Sequence, residues 1–581
     1  MRGGRLAGLL LLVAVLAGCG GLASDGPVQE GLEVGSNEAP ALTIVFPGPE
    51  PDAPQESIVR GFLRAGAASG GAYDNARRFL TGAVAEQWNP DQTLQLLATA
   101  SAPTVRATGA DTVEVSSEAA GTVDANGRYT AHPPGTTVRA EFRLVSVDGQ
   151  WRIDRIPEGF GRWLASNDVG RLVQPYAVNY VSTSLRSTVE DVRWFPVDKL
   201  ATRLARAQLL PVPAHLEGAA VTAVPDGARL LGDAVSVENG VASVNLISTP
   251  IAPGEATRQN LWAQFVSTLT QDPTVMAVRL AVDGVPVDVD GVEGPVSSLT
   301  RVGFPAPEPD TSLAKPVVRR GATVSVFDPR LGSQADTRGS EAPRAFPDIP
   351  QGYTRLAESA DGSEVAAVDP GGGALSRWRD GIRYEVPGLG GLLGAPAYDR
   401  RGFLWVGSVS VSGRLFVVDV RATPGDPVAA EARAVTASWL SDRRVLQARV
   451  SDGGDRVVVV SSAGDGRDVR VDLAGVVRGQ GEQPERLSPP LQLGVDVGSA
   501  AGLTWTDDRT VATLAEVAGQ VAPTLFGVGG DVTRLTPIDG ATSVASVDGT
   551  LYAVASGRLW LRSGARWVDA GEGTDLATPA G

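Results

Sequence analysis

The chain has 581 residues and a formal net charge of −15 at pH 7, and at roughly 150 residues per domain its length predicts three or four domains. With 43% hydrophobic and 20% charged residues it is globular, and its acidity disfavours nucleic-acid binding because phosphate backbones repel it. One cysteine and two histidines exclude an internal disulfide, a three-histidine zinc site and any multi-cysteine zinc or iron–sulfur site.

The N-terminus has the layout of a secretory signal. Arg2 and Arg5 form a short basic region, and residues 6–18 are apolar and small. The ending Leu-Ala-Gly-Cys at residues 16–19 resembles the bacterial lipobox, in which the cysteine is acylated and becomes the first mature residue. We therefore predict a lipoprotein signal peptide at residues 1–18 and lipidation of Cys19 by chains such as palmitate. The alternative is an ordinary signal peptide with a chance cysteine, or a buried core cysteine.

Lipidation predicts a location on the outer face of the plasma membrane. Each buried methylene contributes about 0.8 kcal/mol, so two or three acyl chains suffice as an anchor. No other apolar run approaches 18 residues, so no further helical span is expected. Residues 19–52 are rich in Gly, Pro, Ser and Glu and are predicted to form a flexible tether.

Residues 53–165 predict a small α+β roll. Ile58, Val59, Phe62 and Leu63 recur at helical spacing, and alternating segments with an Asp-Gly turn follow. Such a domain can hold an acid/base pair in its pocket. His132, however, precedes two prolines and is expected in a solvated loop, so a binding or spacer module is favoured.

Residues 170–300 predict a second α+β domain. Two apolar helical stripes flank a hairpin signal at Asn239-Gly240. His215 ends the segment Pro211-Val-Pro-Ala-His215 and is expected in a loop. The Asp-Val-Asp-Gly motif at 288–291 hints at a calcium loop, but Val292 occupies the next ligand position, so no metal is expected.

Residues 301–314 carry three prolines and are predicted to be a Pro-rich linker to a β-propeller at residues 315–581. The last segment has no run of apolar residues at helical spacing. It repeats one motif, a turn followed by an apolar strand, at a period near 40–55 residues. This spacing predicts five or six blades. Each repeat of the motif carries one aspartate in its turn. We interpret these aspartates as structural turn residues rather than catalytic or metal-binding ones. They are Asp361, Asp399, Asp452, Asp507 and Asp548.

In the order lipobox, tether, two α+β domains and propeller, the chain resembles the LpqB family of lipoproteins from high-GC Gram-positive bacteria. The second domain looks like a GerM-type domain, as found in sporulation and spore-germination proteins. The residues that carry this likeness are 221–227, Asn239-Gly240-Val241, Gln264, 269–271 and 278–280.

The resemblance implies a role beside the MtrA–MtrB two-component system. A family member is expected to bind the extracytoplasmic sensor region of the MtrB histidine kinase and to adjust signalling tied to the cell envelope and division. The family offers no catalytic motif to map, so Cys19 is the single functional residue that the resemblance supplies, and no cofactor is implied.

Two other functions remain open. An envelope glycan or a small ligand could bind in the central channel of the propeller. An envelope hydrolase is disfavoured because G-x-S-x-G, H-E-x-x-H, P-loop and dinucleotide motifs are absent from the sequence. The nearest approach, the glycines at 388–394, has the wrong spacing and is predicted to be an inter-blade loop. A glycosidase built on two carboxylates would leave no such motif. We expect a binding protein and not an enzyme.

Overall fold

A computed structural model describes residues 47–67, 73–100, 102–184, 187–248, 254–305, 315–328, 346–426, 428 and 430–579. The predicted signal peptide, Cys19 and most of the predicted tether lie outside these ranges, as do residues 306–314 of the predicted linker. Residues Val45–Gly581 group into one compact unit that contains three successive domains. Within the described ranges, no helix has both the length and the apolar character needed to span a bilayer.

The first domain is an α+β structure, as its sequence pattern predicts. Its described elements are α1 (Gln55–Gly66), α2 (Asp74–Arg77), α3 (Gly82–Gln87), β1 (Thr93–Leu97), β2 (Thr104–Ala107), β3 (Thr112–Asp124), β4 (Tyr129–Ala131), β5 (Thr137–Val147), β6 (Gln150–Arg155) and β7 (Arg162–Leu164). The strands form one sheet in the order β6-β5-β3-β1-β7, with β2 and β4 also pairing with β3. The apolar face of α1 packs on this sheet, where the Phe62 ring meets Phe142 edge-on at 6.1 Å.

The second domain combines a long hairpin with a small mixed sheet and two helices. Its elements are β8 (Val173–Ser182), β9 (Thr188–Pro196), α4 (Leu200–Gln208), β10 (Ala220–Val221), β11 (Arg229–Leu230), β12 (Ser236–Glu238), β13 (Val241–Ile247), α5 (Glu255–Leu269), β14 (Ala277–Val282) and β15 (Val285–Pro286). The predicted Asn239-Gly240 turn joins β12 to β13, and both residues have the positive φ that a two-residue hairpin needs. Val302 and Phe304, in the described part of the predicted linker, complete the core of this domain.

The third domain is a β-propeller. Its described strands form six sheets: β16 (Val317–Arg320), β17 (Thr323–Val326) and β39 (Asp575–Ala577); β18 (Thr354–Glu358), β19 (Glu364–Val368), β20 (Leu375–Arg379) and β21 (Ile382–Glu385); β22 (Ala397–Tyr398), β23 (Phe403–Gly407), β24 (Leu415–Asp419) and β25 (Arg433–Ala434); β26 (Arg443–Val450), β27 (Arg456–Ala463), β28 (Arg470–Arg478), β29 (Pro484–Leu487) and β30 (Leu491–Gln492); β31 (Ala500–Asp507), β32 (Thr510–Val517), β33 (Gln520–Gly527) and β34 (Val532–Arg534); β35 (Ala541–Val547), β36 (Thr550–Ala555), β37 (Arg558–Ser563) and β38 (Arg566–Glu572). We number these sheets blades 1 to 6 in this order.

The ring closes through the end of the chain. The innermost strands β39, β18, β22, β26, β31 and β35 each contact the next, and β35 returns to β39. In blade 1 the C-terminal strand β39 pairs with β16, the first strand of the domain, in antiparallel register. This pairing joins the two ends of the domain within blade 1 and closes the ring. The described residues therefore contain six blades, within the predicted range of five or six.

The two ends of the ring differ in what they carry. Inner strands start at one end, which we call the open face, and finish at the other, which we call the turn face. The turns after the inner strands hold the five predicted aspartates, so all five lie on the turn face. The second domain packs there and along the outer edge of blades 4 and 5. Ala177 and Val192 of its hairpin share an apolar cluster with Val458, Leu473 and Phe526 of the propeller.

Candidate functional site: the channel of the propeller

A cavity of ≈ 310 Å³ lies at the centre of the propeller, and all six blades contribute to its wall. A second cavity of ≈ 500 Å³ adjoins it, and the two share Arg355, Thr542, Ser543 and Asp575. The second cavity also touches Gly321 in the β16–β17 turn, on the open face. Together the two cavities form a channel with its mouth on the face that the second domain leaves uncovered.

Three arginines and one aspartate supply the charged side chains of these walls: Arg319, Arg355, Arg449 and Asp575. The side chain of Arg319 is fixed by carbonyl groups, since it donates to the backbone oxygens of Tyr353, Ile349 and Pro350. Burial lowers the pKa of Arg319, although Asp575 opposes this effect. Arg319 therefore holds the rim of the mouth in place.

Asp575 is the carboxylate of the channel wall, and a backbone group holds it. Its Oδ2 atom accepts a hydrogen bond from the Leu356 N–H at 3.0 Å. Burial raises the pKa of Asp575, while the Leu356 bond and Arg319 act in the opposite direction. The acid thus links the first strand of blade 2 to the closing strand β39.

Arg355 and Arg449 extend from the inner strands of blades 2 and 4. Arg449 donates from Nε to the Leu503 carbonyl at 3.1 Å and from Nη2 to Thr578 Oγ1 at 3.2 Å. Arg355 donates from Nη1 to the Leu393 carbonyl. Burial lowers the pKa of Arg449 to about 10, although Asp452 opposes the shift.

The turn aspartates have the structural role that the sequence predicts, wherever hydrogen bonds define it. Asp361 accepts from the Ser363 N–H at 3.0 Å, and Asp507 accepts from the Arg509 N–H at 2.8 Å. Asp399 is buried and accepts from the Phe403 N–H and from Trp405 Nε1. These bonds close the turns that precede β19, β23 and β32.

The two histidines differ in their surroundings. His132 is half-buried, and its Nε2 lies 2.8 Å from Thr122 Oγ1. The expected loop position of His215 needs correction, because the residue sits in the one-turn helix Ala214–Leu216 and is only 4% exposed. Burial lowers the pKa of His215 to about 4, although Asp191 opposes the shift. His215 is therefore neutral near pH 7 and is packed into the protein.

His215 belongs to a charged cluster where the three domains meet, which we call the junction. Asp191, 1% exposed, lies 2.6 Å from Arg193 Nε, 2.9 Å from Arg128 Nη1 and 3.4 Å from His215 Nε2. Burial acts to raise the pKa of Asp191, but Arg193, His215 and Arg128 together lower it. The first domain supplies Arg128 and the second domain the other three residues, so the cluster joins these domains.

Further polar contacts at the junction tie the second domain to the propeller. Arg509 of blade 5 pairs with both carboxylate oxygens of Glu190 at 2.9 Å. Asp455 accepts from Ser182 Oγ at 2.7 Å, and Ser488 Oγ donates to the His215 carbonyl at 2.5 Å. The junction is thus built from polar and charged groups contributed by all three domains.

Residues that carry the GerM-type likeness also have structural roles. Gln264 accepts from the Ala223 N–H at 2.6 Å, and Gln271 accepts from the Ala177 N–H at 2.9 Å. Both residues therefore tie the α5 helix and the residues just after it to neighbouring segments of the domain. Asp288 and Asp290 are exposed, and Arg258 binds the backbone carbonyl of Asp288. The glycine-rich segment 388–394 connects β21 to β22, which confirms the inter-blade loop.

Sequence reasoning missed the channel residues. Arg355, Arg449 and Asp575 stand in different strands, far apart in the chain, and none belongs to a motif. Their only common feature is a position on an innermost strand, which becomes visible once the blades are assigned. Cys19, the one site residue predicted from the sequence, lies outside the described residues.

Comparisons with known proteins match all three domains. Family models match residues 48–170 (Lipoprotein LpqB, N-terminal domain), 175–288 (Sporulation and spore germination) and 330–580 (Lipoprotein LpqB beta-propeller domain). A β-propeller domain of Cps50 (Swd1) from Myceliophteria thermophila aligns with 41% of this chain and 95% of its own, at 13% identity and a TM-score of 0.27.

Curated relatives match nearly end to end and are named as lipoproteins rather than as enzymes. Lipoprotein LpqB of Thermobifida fusca is 26% identical over 98% of this chain and 97% of its own length. Lipoprotein LpqB of Mycolicibacterium smegmatis is 24% identical over 93% of this chain and 92% of its own. With both terminal domains matched by models of that family and relatives that span the whole chain, this protein belongs to the LpqB lipoprotein family.

Proposed function

We propose that the mature protein is a lipid-anchored accessory protein on the outer face of the plasma membrane, held there through Cys19. In this proposal it binds the extracytoplasmic domain of an MtrB-like sensor histidine kinase and adjusts two-component signalling linked to the envelope and division. The observation that carries the proposal is family membership with all three domains in the family's order.

The architecture supports a binding role. Contacts at the junction connect the propeller to the second domain and the second domain to the first. The open face of the propeller carries no contact of this kind among the described residues. A closed propeller offers a broad, rigid surface of the kind that other propellers use for partners.

The chemistry of the titratable groups favours binding over catalysis. His215 is buried and neutral, and it packs against Asp191. Asp361, Asp399 and Asp507 are engaged in turns. These groups are held in structural contacts, and the proposed function needs no covalent step.

Anchoring supports the proposal through proximity. A tether of about 35 residues, if flexible, has a root-mean-square reach of roughly 30–35 Å. The outer domain of the kinase emerges from the same membrane. Confinement to one surface raises the effective concentration of each protein for the other, so a weak intrinsic contact suffices.

Cross-linking in intact cells tests the proposal. A photo-reactive amino acid is placed at exposed Gln351 on the open face and, as the matched position, at exposed Asp548 on the turn face. Recovery of the kinase from either position supports the proposal. Cys19→Ala in the same background should reduce that recovery by about tenfold or more, because the local concentration is lost.

Recovery of other proteins but never of the kinase would contradict the proposed partner. Equal recovery from Cys19→Ala, at matched extracellular abundance, would contradict the anchoring part alone. The two results are independent and separate the partner from the anchor.

A ligand-binding role is the second candidate, and the channel favours it. A carboxylate-based hydrolase is less well supported there. A glycosidase of that kind uses two acidic residues, whereas Asp575 is the one acid among the described channel-lining residues.

A further inference from the structure

Arg355, which is exposed at the channel, and Arg449, which is half-buried, differ from the ion-paired arginines of this protein because they lack acidic partners. Among the described residues, no Asp or Glu side chain forms an ion pair with either guanidinium group. Arg377 of the same propeller, by contrast, pairs with Glu364 at 2.7 Å. A partly desolvated cation such as Arg449 is costly without a counter-charge and is normally paired. The two arginines line one cavity, where an incoming anion can supply the missing charge.

Each of the two guanidinium groups also has donors to spare. Nη1 of Arg449 and Nη2 of Arg355 form no hydrogen bond with a described residue. An arginine presents five N–H donors in a planar fork that matches a carboxylate or a phosphate. The channel therefore offers directed donors as well as charge.

The charge of the channel is opposite to that of the chain. Arg319, Arg355 and Arg449 face a single acid, Asp575, in the two cavities. The whole chain carries a net charge of −15. A positively charged cavity inside an acidic protein focuses the electrostatic field in the cavity and attracts anions to it.

The backbone at Arg355 supplies an independent observation. Arg355 has a φ of 59°, in the left-handed region that favours glycine, and the register of β18 against β19 shifts between Thr354 and Ala357. A bulge of this kind re-aims side chains, and left-handed strain in a non-glycine residue clusters at ligand sites. Here Arg355 and the two residues that follow it all line the cavity.

We propose that the propeller channel binds a small polar molecule through an oxyanion, either a carboxylate or a phosphate, held between Arg355 and Arg449. The molecule enters at the open face through the mouth that Arg319 borders. Gln447, Thr542 and Ser543 provide uncharged polar contacts for the rest of it. The inner cavity of ≈ 310 Å³ lies at the lower end of the range for ligand pockets, about 300–1,000 Å³, so the ligand is compact.

Three probes that share one sugar ring test this site. Glucuronate carries a carboxylate, glucose 6-phosphate carries a phosphate, and glucose carries neither group. Each is titrated calorimetrically into the purified chain at low ionic strength, up to about 10 mM. We expect binding of glucuronate or glucose 6-phosphate and none of glucose, and the stronger anion identifies which oxyanion the site prefers.

Variants assign the binding to the channel. Arg449→Met and Arg355→Gly should each weaken anion binding by about tenfold or more, the loss of one charge-assisted contact. Arg444→Met, on the same strand β26 but lining neither cavity, is the matched control and should bind as wild type does. Melting curves confirm that each variant is folded.

Several outcomes would overturn the proposal. These are equal binding of glucose, anion binding that survives both channel substitutions, or no heat from either anion over the whole range. None of them depends on the sensor kinase, so the channel proposal and the proposed function fail separately.

Discussion

The junction and the channel both contain arginines, and they differ in what those arginines face. At the junction, Arg193 and Arg128 meet Asp191 within 3 Å, and Arg509 meets Glu190 through two bonds. In the channel, Arg355 and Arg449 bind backbone carbonyls and a hydroxyl group, with no carboxylate paired to them among the described residues.

The difference separates a structural role from a binding role. A matched pair satisfies itself and holds domains together, whereas an unmatched cation keeps its capacity for an external partner. The same residue type therefore serves the fold at the junction and is available for recognition in the channel. The following predictions test this division, from the largest expected effect to the smallest.

Replacing Asp191 by Asn should cause the largest loss of stability. The change leaves Arg193 and Arg128 with no carboxylate at a site that is 1% exposed, which costs about 3–5 kcal/mol. The shift in the urea-unfolding midpoint, followed by tryptophan fluorescence, measures it. Asp168→Asn, which breaks a surface pair with Arg171, is the control and should cost less than about 1 kcal/mol. Equal losses of stability from Asp191→Asn and Asp168→Asn would show that the junction cluster stabilises the protein no more than a surface ion pair does.

Acid should weaken the junction through His215. Its pKa is about 4 in the folded protein against 6.5 for the free side chain, so between these values the unfolded chain binds a proton that the folded chain excludes. Stability therefore falls as the pH drops from 6.5 towards 4, by about 3 kcal/mol in all. With His215→Gln, the unfolding midpoint should vary much less with pH across this window. A slope that survives His215→Gln would assign the effect to other groups.

Glu358 tests how a buried acid without a basic partner affects stability, for comparison with the arginines that lack acidic partners. It lies on β18 with Arg355, is 2% exposed, and its Oε2 atom has no hydrogen-bond partner among the described residues. Burial raises its pKa to about 9, opposed by a backbone hydrogen bond from Val317, so the folded chain keeps a proton that the unfolded chain releases above pH 4.5. Glu358→Gln should therefore stabilise the protein at pH 7 by about 3 kcal/mol. Exposed Glu385→Gln is the control, and a destabilised Glu358→Gln would contradict the assignment.

The smallest effect is expected at the edge of the junction. Arg509 and Glu190 are partly exposed, with 40% and 24% of their side chains accessible, so their pairing is screened by solvent. Glu190→Gln should cost about 1 kcal/mol, measured as the change in the unfolding midpoint. The loss should shrink in high salt. A loss as large as that of Asp191→Asn would mean that the contact between domain and propeller depends on this one pair.

Local signals in the sequence predicted much of the fold. The turn aspartates mark the blades because a side chain that closes a turn acts within a few residues, as Asp361 does on Ser363. Asn239-Gly240 predicted its hairpin for the same reason. By contrast, the β8–β9 hairpin went unpredicted because residues 183–187 contain no Asn-Gly or Asp-Gly signal.

Features that depend on distant residues were not predictable from local patterns. The closing strand β39 has three residues and pairs with β16 at the opposite end of the domain. The burial of His215 comes from Asp191 and Ser488, neither of which is near it in the chain. The channel arginines have no sequence signal, because their importance rests on which carboxylates are absent around them in space.

The most direct test of this division is a melting-temperature comparison of Arg449→Met with Arg193→Met, each with and without glucuronate. We predict that Arg193→Met melts well below wild type, because Asp191 loses its nearest partner. Arg449→Met should melt at or above wild type and gain nothing from glucuronate, since Gln447 still binds the Leu503 carbonyl. An Arg449→Met protein that melts as low as Arg193→Met would contradict the account, because the channel arginine would then serve the fold.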